Sequence, residues 1–431
     1  MIANSALGQA GGKKDINIAL LGAGAQGQAL MNAIFKLGRN SGIKFRAVCD
    51  IWEKGNLRRV SRTLKAYGRL GHKGTAYVDY QEMLEKEKDL DAVLVATPDF
   101  WHAEHTIACF EKGLHVYCEK EMSNSLEAAK SMVLAGRKAG KLLQIGHQRR
   151  SNPRYIYCNE KVIKEANLLN RITNISGQWH RSRAGCVDLG WPDGTEIPKE
   201  TLKKFGFDDM PQFRNWRWYK GLGGGPIVDL GSHQIDVYSW FLDNAVPTSV
   251  MASGGVDYWK DHEWYDNAIA IFEFPTKKGL VRATYETLTT NSSNGYYELF
   301  MGDEGTLLIS ESAGRGELYR ESWVEEAKWD PWVQKGLINL EKASAKAEVK
   351  AGDDEVDVRE SATPALYRMP IEMKDPYHQP HLVNFFESVR GNQTLNCPGE
   401  IGYETAVMVL KVNEAIAAAR KIELKPEDFK V

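Results

Sequence analysis

What this chain lacks narrows its function before any motif is read. No apolar run approaches the roughly 20 residues that a membrane-crossing helix needs, so no segment reads as a span. The six cysteines (Cys49, Cys109, Cys118, Cys158, Cys186 and Cys397) are scattered and form no C-x-x-C pair. Neither a zinc site nor a disulfide framework is expected, and buried free thiols are the ordinary reading. There is no excess of either charge: 55 Lys+Arg stand against 57 Asp+Glu, for a formal net charge of −2. That removes the electrostatic case for nucleic acid or an anionic membrane surface as partner. No internal repeat is present. Residues 1–14, MIANSALGQAGGKK, lack the apolar core of a signal peptide. They are expected to form, with residue 15, a flexible arm or the remnant of a processed leader. The expected location is the cytoplasm, with a periplasmic origin left open. What remains is an ordinary globular composition, 43% hydrophobic and 26% charged over 431 residues, enough for two domains with sizeable cores.

The stretch Ile16–Gly27, INIALLGAGAQG, runs an apolar strand into Gly22-Ala-Gly24-Ala25-Gln26-Gly27. In a G-x-G-x-x-G turn the first glycine permits the tight turn and the second lets backbone approach a pyrophosphate. The third lets the helix pack closely on the strand, while the helix N-terminus points its N–H groups at the anion. The required context is present: a strand before, a helix over Ala29–Leu37 after, then a second strand, Phe45–Cys49, ending in Asp50. Asp50 stands where a carboxylate accepts from a ribose 2′-hydroxyl, and it would repel a 2′-phosphate. NAD is therefore expected over NADP.

Strand and helix patterns keep alternating. Lys54–Tyr67 and Tyr80–Lys86 read as helical, Ala92–Ala96 as a strand buried on both faces, and His102–Lys112 as a helix stopped by Gly113. His115–Cys118 is a strand ending in Glu119-Lys120. Ser125–Ala139 is a helix with Ser123 or Asn124 as candidate cap and Gly140 as terminator, and Leu142–Ile145 is a further strand. This order predicts a doubly wound parallel sheet of about six strands over residues 16–148. Ligands of such sheets bind beyond the carboxyl ends of the strands, where Gly22–Gly27, Asp50, Thr97-Pro98 and Glu119-Lys120 all fall.

From residue 149 to 431 the rhythm changes. Strands are predicted over Arg171–Trp179, Ser249–Val256, Ala268–Phe274, Leu280–Thr287, Tyr297–Met301 and Thr306–Ile309, several in hairpin relation. An α+β domain with a large, mostly antiparallel open sheet follows. Ala184–Gly224, rich in Gly, Pro and Trp, is expected to wrap over the site, and Glu325–Tyr367 to be a charged surface excursion. His381–Val389 and Gly402–Arg420 read as closing helices. In Gly223–Leu242, GGGPIVDLGSHQIDVYSWFL, a helix from about Ile227 puts Asp229 and His233 four apart on one face among apolar neighbours.

The combination GAGAQG, ATPDFWHAEH, CEKE and GGGPIVDLGSHQID resembles the glucose–fructose oxidoreductase / inositol dehydrogenase / rhizopine-catabolism (Gfo/Idh/MocA) family along nearly the whole chain. The resemblance implies an N-terminal Rossmann domain, and a C-terminal domain for substrate binding and homo-oligomerisation through its sheet. It matches Lys120 to the family's E-K-P lysine and Asp229 and His233 to its D-x-x-x-H pair. It also brings Trp101, His102 and Gln148 into the cofactor shell. Glu121 stands where the family usually has proline. A cis bond before a non-proline residue costs about 2.5–4 kcal/mol, so a trans or rearranged loop is expected. GHQRRSNPRY and QWHR resemble members acting on sugars or glycosides, which makes Arg149, Arg150, Tyr155, Trp179 and His180 candidates for a sugar site. His102 and His105 lack the H-E-x-x-H arrangement, and no metal is expected.

The chemistry this implies is NAD-dependent hydride transfer at a ring hydroxyl carbon of a sugar, polyol or glycoside. His233 suits the base, Lys120 the stabiliser of developing alkoxide charge, and Asp229 the residue that orients substrate or tunes His233. Two rivals use the same fold: a redox-neutral NAD-dependent glycosidase or lyase working by oxidation, elimination and reduction, and a non-catalytic NAD-dependent sensor.

Overall fold

The computed structural model describes residues 15–182, 188–312, 314–344 and 361–431; Cys186, the arm over 1–14 and the tract 345–360 lie outside them. The chain begins with β1 (Ile16–Leu21), α1 (Ala25–Leu37), β2 (Ile43–Cys49), α2 (Arg58–Ala66), β3 (Thr75–Tyr77) and α3 (Tyr80–Lys86). It continues through β4 (Ala92–Val95), α4 (Asp99–Glu111), β5 (His115–Cys118), α5 (Leu126–Ala139) and β6 (Leu143–Ile145). The six strands form one sheet in the order β3-β2-β1-β4-β5-β6, parallel throughout. This is the doubly wound arrangement expected of the alternation, with its switch point between β1 and β4. β4 shows why: Ala92, Val93, Leu94 and Val95 are each fully buried, as a central parallel strand covered by helices on both faces must be.

Several boundaries differ from the sequence reading for identifiable reasons. β3 is only three residues long and has no apolar run to announce it. α4 starts at Asp99, directly after Pro98, rather than at His102. α5 is capped by Ser125, whose Oγ accepts from the Ala128 amide at 3.2 Å, rather than by Ser123 or Asn124. Gly140 ends that helix in the left-handed region, as expected.

The second part runs through α6 (Pro153–Tyr157), β7 (Ile172–His180), α7 (Lys199–Lys204), α8 (Met210–Arg214), α9 (Gly225–Asp229) and α10 (Gly231–Phe241). Then come β8 (Ser249–Gly255), β9 (Asn267–Thr276), β10 (Gly279–Leu288), β11 (Tyr296–Gly302), β12 (Gly305–Ile309) and β13 (Gly316–Arg320). After α11 (Glu326–Gln334), β14 (Asn339–Lys342) and β15 (Ala365–Arg368), the chain closes with α12 (Gln379–Val389), α13 (Gly399–Ala418) and β16 (Ile422–Glu423). Ten strands form one sheet in the order β14-β15-β13-β12-β11-β7-β10-β9-β8-β16. Every pairing is antiparallel except β7 with β10. Glu325–Tyr367 is more than a surface excursion: β14 and β15 extend the sheet, and Trp329 of α11 is fully buried.

The two parts are knitted together. α12 lays Leu382, Phe385 and Phe386 on the first sheet, in one cluster with Leu20, Leu94 and Tyr117. The five described cysteines are buried and unpaired. No helix among the described residues is long and apolar enough to cross a membrane.

Candidate active site

The carboxyl ends of the first sheet's strands open into a cavity. One wall is the glycine turn. Gly22 has φ +94°, and a Cβ there would sit 2.5 Å from the Ala96 carbonyl oxygen. A Cβ on Gly27 would lie 2.1 Å from the Gly22 oxygen, so strand and helix meet too closely for any side chain. Gly24 is different: a Cβ there finds its nearest neighbour at 3.9 Å, which leaves bare backbone facing open space. Gly24 leads into α1 with no side-chain cap, so the first turn's N–H groups are presented to the cavity. These features fit a dinucleotide pyrophosphate.

Asp50 ties the turn to the end of β2, accepting from the Ala23 amide and from the Trp52 amide, both at 2.8 Å. Ala25, Gln26, Thr97, Pro98 and Trp101 line the same cavity with Glu119 and Lys120. Gln26 donates to Glu119 at 2.9 Å. His102 does not line it. Its ring is fully buried, with Nε2 2.7 Å from the Thr97 oxygen and Nδ1 2.8 Å from the Glu121 oxygen. It thus braces two of the loops that form the cavity.

The loop after β5 corrects one expectation: the Lys120–Glu121 peptide is cis. Buried partners fix this loop. His102 holds the Glu121 carbonyl, and the Glu121 carboxyl accepts from the Met122 amide at 2.7 Å. Glu121 is 1% exposed, and burial pushes its carboxyl up to about 8.

A second cavity adjoins the first and shares Gln26, Glu119, Lys120, Leu189 and Arg217 with it. Lys120 Nζ donates to Asp229 Oδ1 at 3.0 Å and to the Asp229 carbonyl, and Arg217 Nε lies 3.1 Å from the same carboxylate oxygen. Burial works against the charge on Asp229, but Lys120, Arg217 and Arg181 together hold its carboxyl well below the usual range. The helix expected from Ile227 is divided at Leu230 into α9 and α10, and Asp229 pairs with Lys120 and Arg217. His233 lines the second cavity at 8% exposure, its ring 5.5 Å from that of Trp179. Its Nδ1 has no hydrogen-bond partner. Burial, with Lys120 and Arg149 adding to it, keeps the imidazole well below its ordinary value of 6.5, so the ring is neutral at pH 7.

The remaining candidates divide. Trp179 lines the second cavity and stacks on Tyr296 at 4.4 Å. Gln148 lines this cavity too, rather than the first. Arg149 and Tyr155 do not reach either one. Arg149 is 1% exposed and pairs with Glu298 and, at 2.9 Å, with Glu311, while the Tyr155 hydroxyl donates to Glu298 at 2.7 Å. Arg150 pairs with Asp236 at 2.8 Å. The basic run after β6 turns inward, where its charge is matched by carboxylates from the second domain. It forms a buried brace behind the cavity, not a sugar-facing surface. His180 follows Trp179 on β7 and points to the other face of the sheet, where it meets Glu286 at 3.4 Å.

Residues 188–222 supply what sequence reasoning only outlined, a cover over the first cavity. Phe205, Phe207, Phe213, Arg214, Trp216 and Arg217 form the wall facing the glycine turn. Ile197, Leu202, Phe205, Phe207, Met210, Trp216 and Leu222 pack with Trp52 in a separate buried cluster. Trp52 Nε1 donates to the Thr195 oxygen at 2.5 Å and Trp101 Nε1 to the Phe205 oxygen at 3.0 Å. The richness of Ala184–Gly224 in Gly, Pro and Trp is what marked this segment as wrapping over the site. Arg217, flanked by two tryptophans, carried no signal of its own.

Comparison with known proteins agrees with this geometry. Residues 16–147 match the model of the Gfo/Idh/MocA oxidoreductase family's NAD-binding Rossmann fold, and residues 203–308 match a Gfo/Idh/MocA C-terminal domain. Among curated relatives, D-glucoside 3-dehydrogenase of Escherichia coli is 27% identical over 238 residues, 55% of this chain and 57% of that protein. The scyllo-inositol 2-dehydrogenase (NADP(+)) IolW of Bacillus subtilis is 28% identical over 173 residues, 40% of each chain. The matches thus span about half the length of these relatives. A levoglucosan dehydrogenase in complex with NADH superposes with a TM-score of 0.68 at 15% identity, covering 96% of this chain and 100% of that one. The WlbA dehydrogenase of Bordetella pertussis, in complex with NADH and UDP-GlcNAcA, gives 0.64 at 18% identity, covering 96% and 98%; both show the fold alone. With its two domains matched in order and its glycine turn, lysine loop and D-x-x-x-H helix pair converging on one crevice, the chain belongs to the Gfo/Idh/MocA oxidoreductase family and takes NAD as its cofactor.

Proposed function

We propose that the protein oxidises a ring hydroxyl carbon of a sugar, polyol or glycoside, with NAD as the acceptor. The observation that carries this reading is Lys120. It lines both cavities and is anchored by Asp229, so a substrate in the second cavity meets the cofactor's cavity at its ammonium group. Bound NAD supplies a hydride acceptor at the nicotinamide ring. The chain's own residues do the rest. Lys120 donates a hydrogen bond to the substrate oxygen and stabilises negative charge growing there. Neutral His233 accepts the hydroxyl proton. Asp229, held ionised, fixes the Lys120 ammonium in place. Trp179 and Tyr296 line the second cavity as a stacked aromatic pair, an apolar surface for the C–H groups of a carbohydrate. Relatives named for activity on D-glucosides and inositols support the substrate class.

The cover favours a second mode of the same chemistry. Residues 188–222 form an aromatic wall over the cofactor's cavity, anchored to Trp52 and Trp101, which would slow the cofactor's release. Retained NAD suits a redox-neutral cycle of oxidation, elimination and reduction. We also infer a homo-oligomer, because Met251, Ile269 and Leu280 expose apolar side chains on the outer face of the second sheet, at 48%, 48% and 39%. Light scattering after gel filtration tests that. Buried unpaired thiols suit a reducing compartment, the cytoplasm.

The functional test is nicotinamide absorbance of the purified protein with NAD and a panel of sugars, polyols and glycosides. A sustained rise with one class identifies a net dehydrogenase. Aglycone release without a rise identifies the redox-neutral cycle. Silence in both overturns catalysis and leaves an NAD-dependent sensor.

A further inference from the structure

The second cavity holds three cations, and only two of them make a direct ion pair with a carboxylate that faces it. Lys120 and Arg217 share Asp229. Glu311 lines the cavity, but its charge is met from behind by Arg149 at 2.9 Å. Glu119 turns toward Gln26 on the glycine turn. That leaves Arg181, which lines the cavity and adds to the field that holds Asp229 ionised, but makes no direct ion pair among the described residues. Its position is set by the sheet. One residue past β7, its amide donates to the Leu288 oxygen at 2.8 Å, and the alternation that turns His180 away brings Arg181 back to the Trp179 side. The guanidinium lies 5.0 Å from the Trp179 ring centroid, and Trp179 in turn stacks on Tyr296. A guanidinium laid on a ring face keeps its N–H fork free along its edge, the geometry that grips a carboxylate or phosphate through two parallel hydrogen bonds.

We propose that the carbohydrate taken by this site carries an anionic substituent, a carboxylate or a phosphate, which docks on Arg181 while its hydroxyl-bearing carbon faces Lys120 and His233. The inference rests on the carbohydrate reading above and narrows it to acidic sugars. Arg181 is then a specificity residue. It binds the substituent and takes no part in proton transfer, which separates it from Lys120 and Asp229.

The test is calorimetric titration of the NADH-bound protein with methyl glycosides of gluco, galacto and manno configuration, each as the neutral sugar, the uronate and the 6-phosphate. NADH affinity serves as the fold control for every variant. The expected result is one anionic series binding tighter than its neutral counterpart by about tenfold to a hundredfold, the range for a hydrogen bond to a charged group. Arg181→Gln abolishes that advantage and leaves neutral ligands within about threefold; Arg181→Lys restores part of it. Tighter uronates identify a carboxylate substrate, and tighter phosphates a phosphorylated one. Equal or tighter binding of neutral sugars overturns the proposal. So does an anionic advantage that survives Arg181→Gln, or the absence of measurable binding by every anionic ligand. Anionic preference with neither NADH formation nor aglycone release in the activity assay would retain the Arg181 site and defeat the oxidation reading instead.

Discussion

The two walls of the cofactor cavity are built by opposite means. The wall from the first sheet is backbone: a turn in which Gly22 and Gly27 admit no Cβ, Gly24 faces open space, and strand ends deliver Asp50, Thr97 and Glu119 to one rim. The facing wall is side chain: Phe205, Phe207, Phe213, Trp216 and Arg217, carried on short helices and turns and held by their own small core. Backbone geometry requires particular residue types at fixed spacing. An aromatic wall requires only bulk and contact, which many sequences supply. The first wall therefore accepts almost no substitution, while the second tolerates change.

Lys120, where the walls meet the second cavity, is the place to break the arrangement outright. Lys120→Ala is expected to lower kcat by on the order of a thousandfold, since it removes the donor aimed at the developing charge, with NAD affinity changed little; steady-state kinetics and cofactor titration separate the two. Next is Gly24→Val. The added side chain meets no protein atom closer than 3.9 Å at its Cβ, so the melting temperature should hold while NAD affinity falls by about a hundredfold through lost pyrophosphate hydrogen bonds. Phe205→Ala tests the other wall. Truncating this buried cover residue should speed NAD release by about tenfold, read by stopped-flow fluorescence, because the cover's core loses packing and the glycine turn does not.

The smallest effect concerns the buried residue that follows Lys120. Glu121 is held protonated by burial, with its pKa raised to about 8 from an ordinary 4.5. The folded state thus keeps a proton that the unfolded chain releases. Between pH 4.5 and 8 this group's contribution to stability falls as pH rises, and the loss is complete above 8. Glu121→Gln, which stays neutral, should raise the melting temperature at pH 9 by a few degrees more than at pH 5. Thermal scans at the two pH values check it.

These contrasts also explain what the sequence made legible. Ala92–Ala96 reads as a strand buried on both faces because such a position leaves room only for apolar residues, and the structure shortens it by one residue. GAGAQG reads as a phosphate turn because steric limits dictate its glycines, and Asp50 follows by spacing. His115–Cys118 and Tyr80–Lys86 appear at their expected bounds. Residues placed by contacts across long stretches of chain were not legible. Arg149 and Tyr155 resemble sugar ligands in sequence, yet Glu298, about 150 residues later, draws both into a buried network. Arg217 reaches Asp229 only because the cover folds back over Trp52 and Trp101. The cis peptide at Lys120–Glu121 ran against local preference, and only the buried partners of Glu121 account for the loop.

The claim at the centre is that a carbohydrate in the second cavity gives its hydride to NAD beside Lys120. A single turnover with protein in excess of NAD, using a substrate from the active class deuterated at the oxidised carbon, tests it without depending on cofactor release. Mass spectrometry of the extracted cofactor should show one deuterium on the nicotinamide in the wild type and strongly reduced labelling in Lys120→Ala. Conversion of the carbohydrate to its keto product with the nicotinamide left unlabelled would contradict the account.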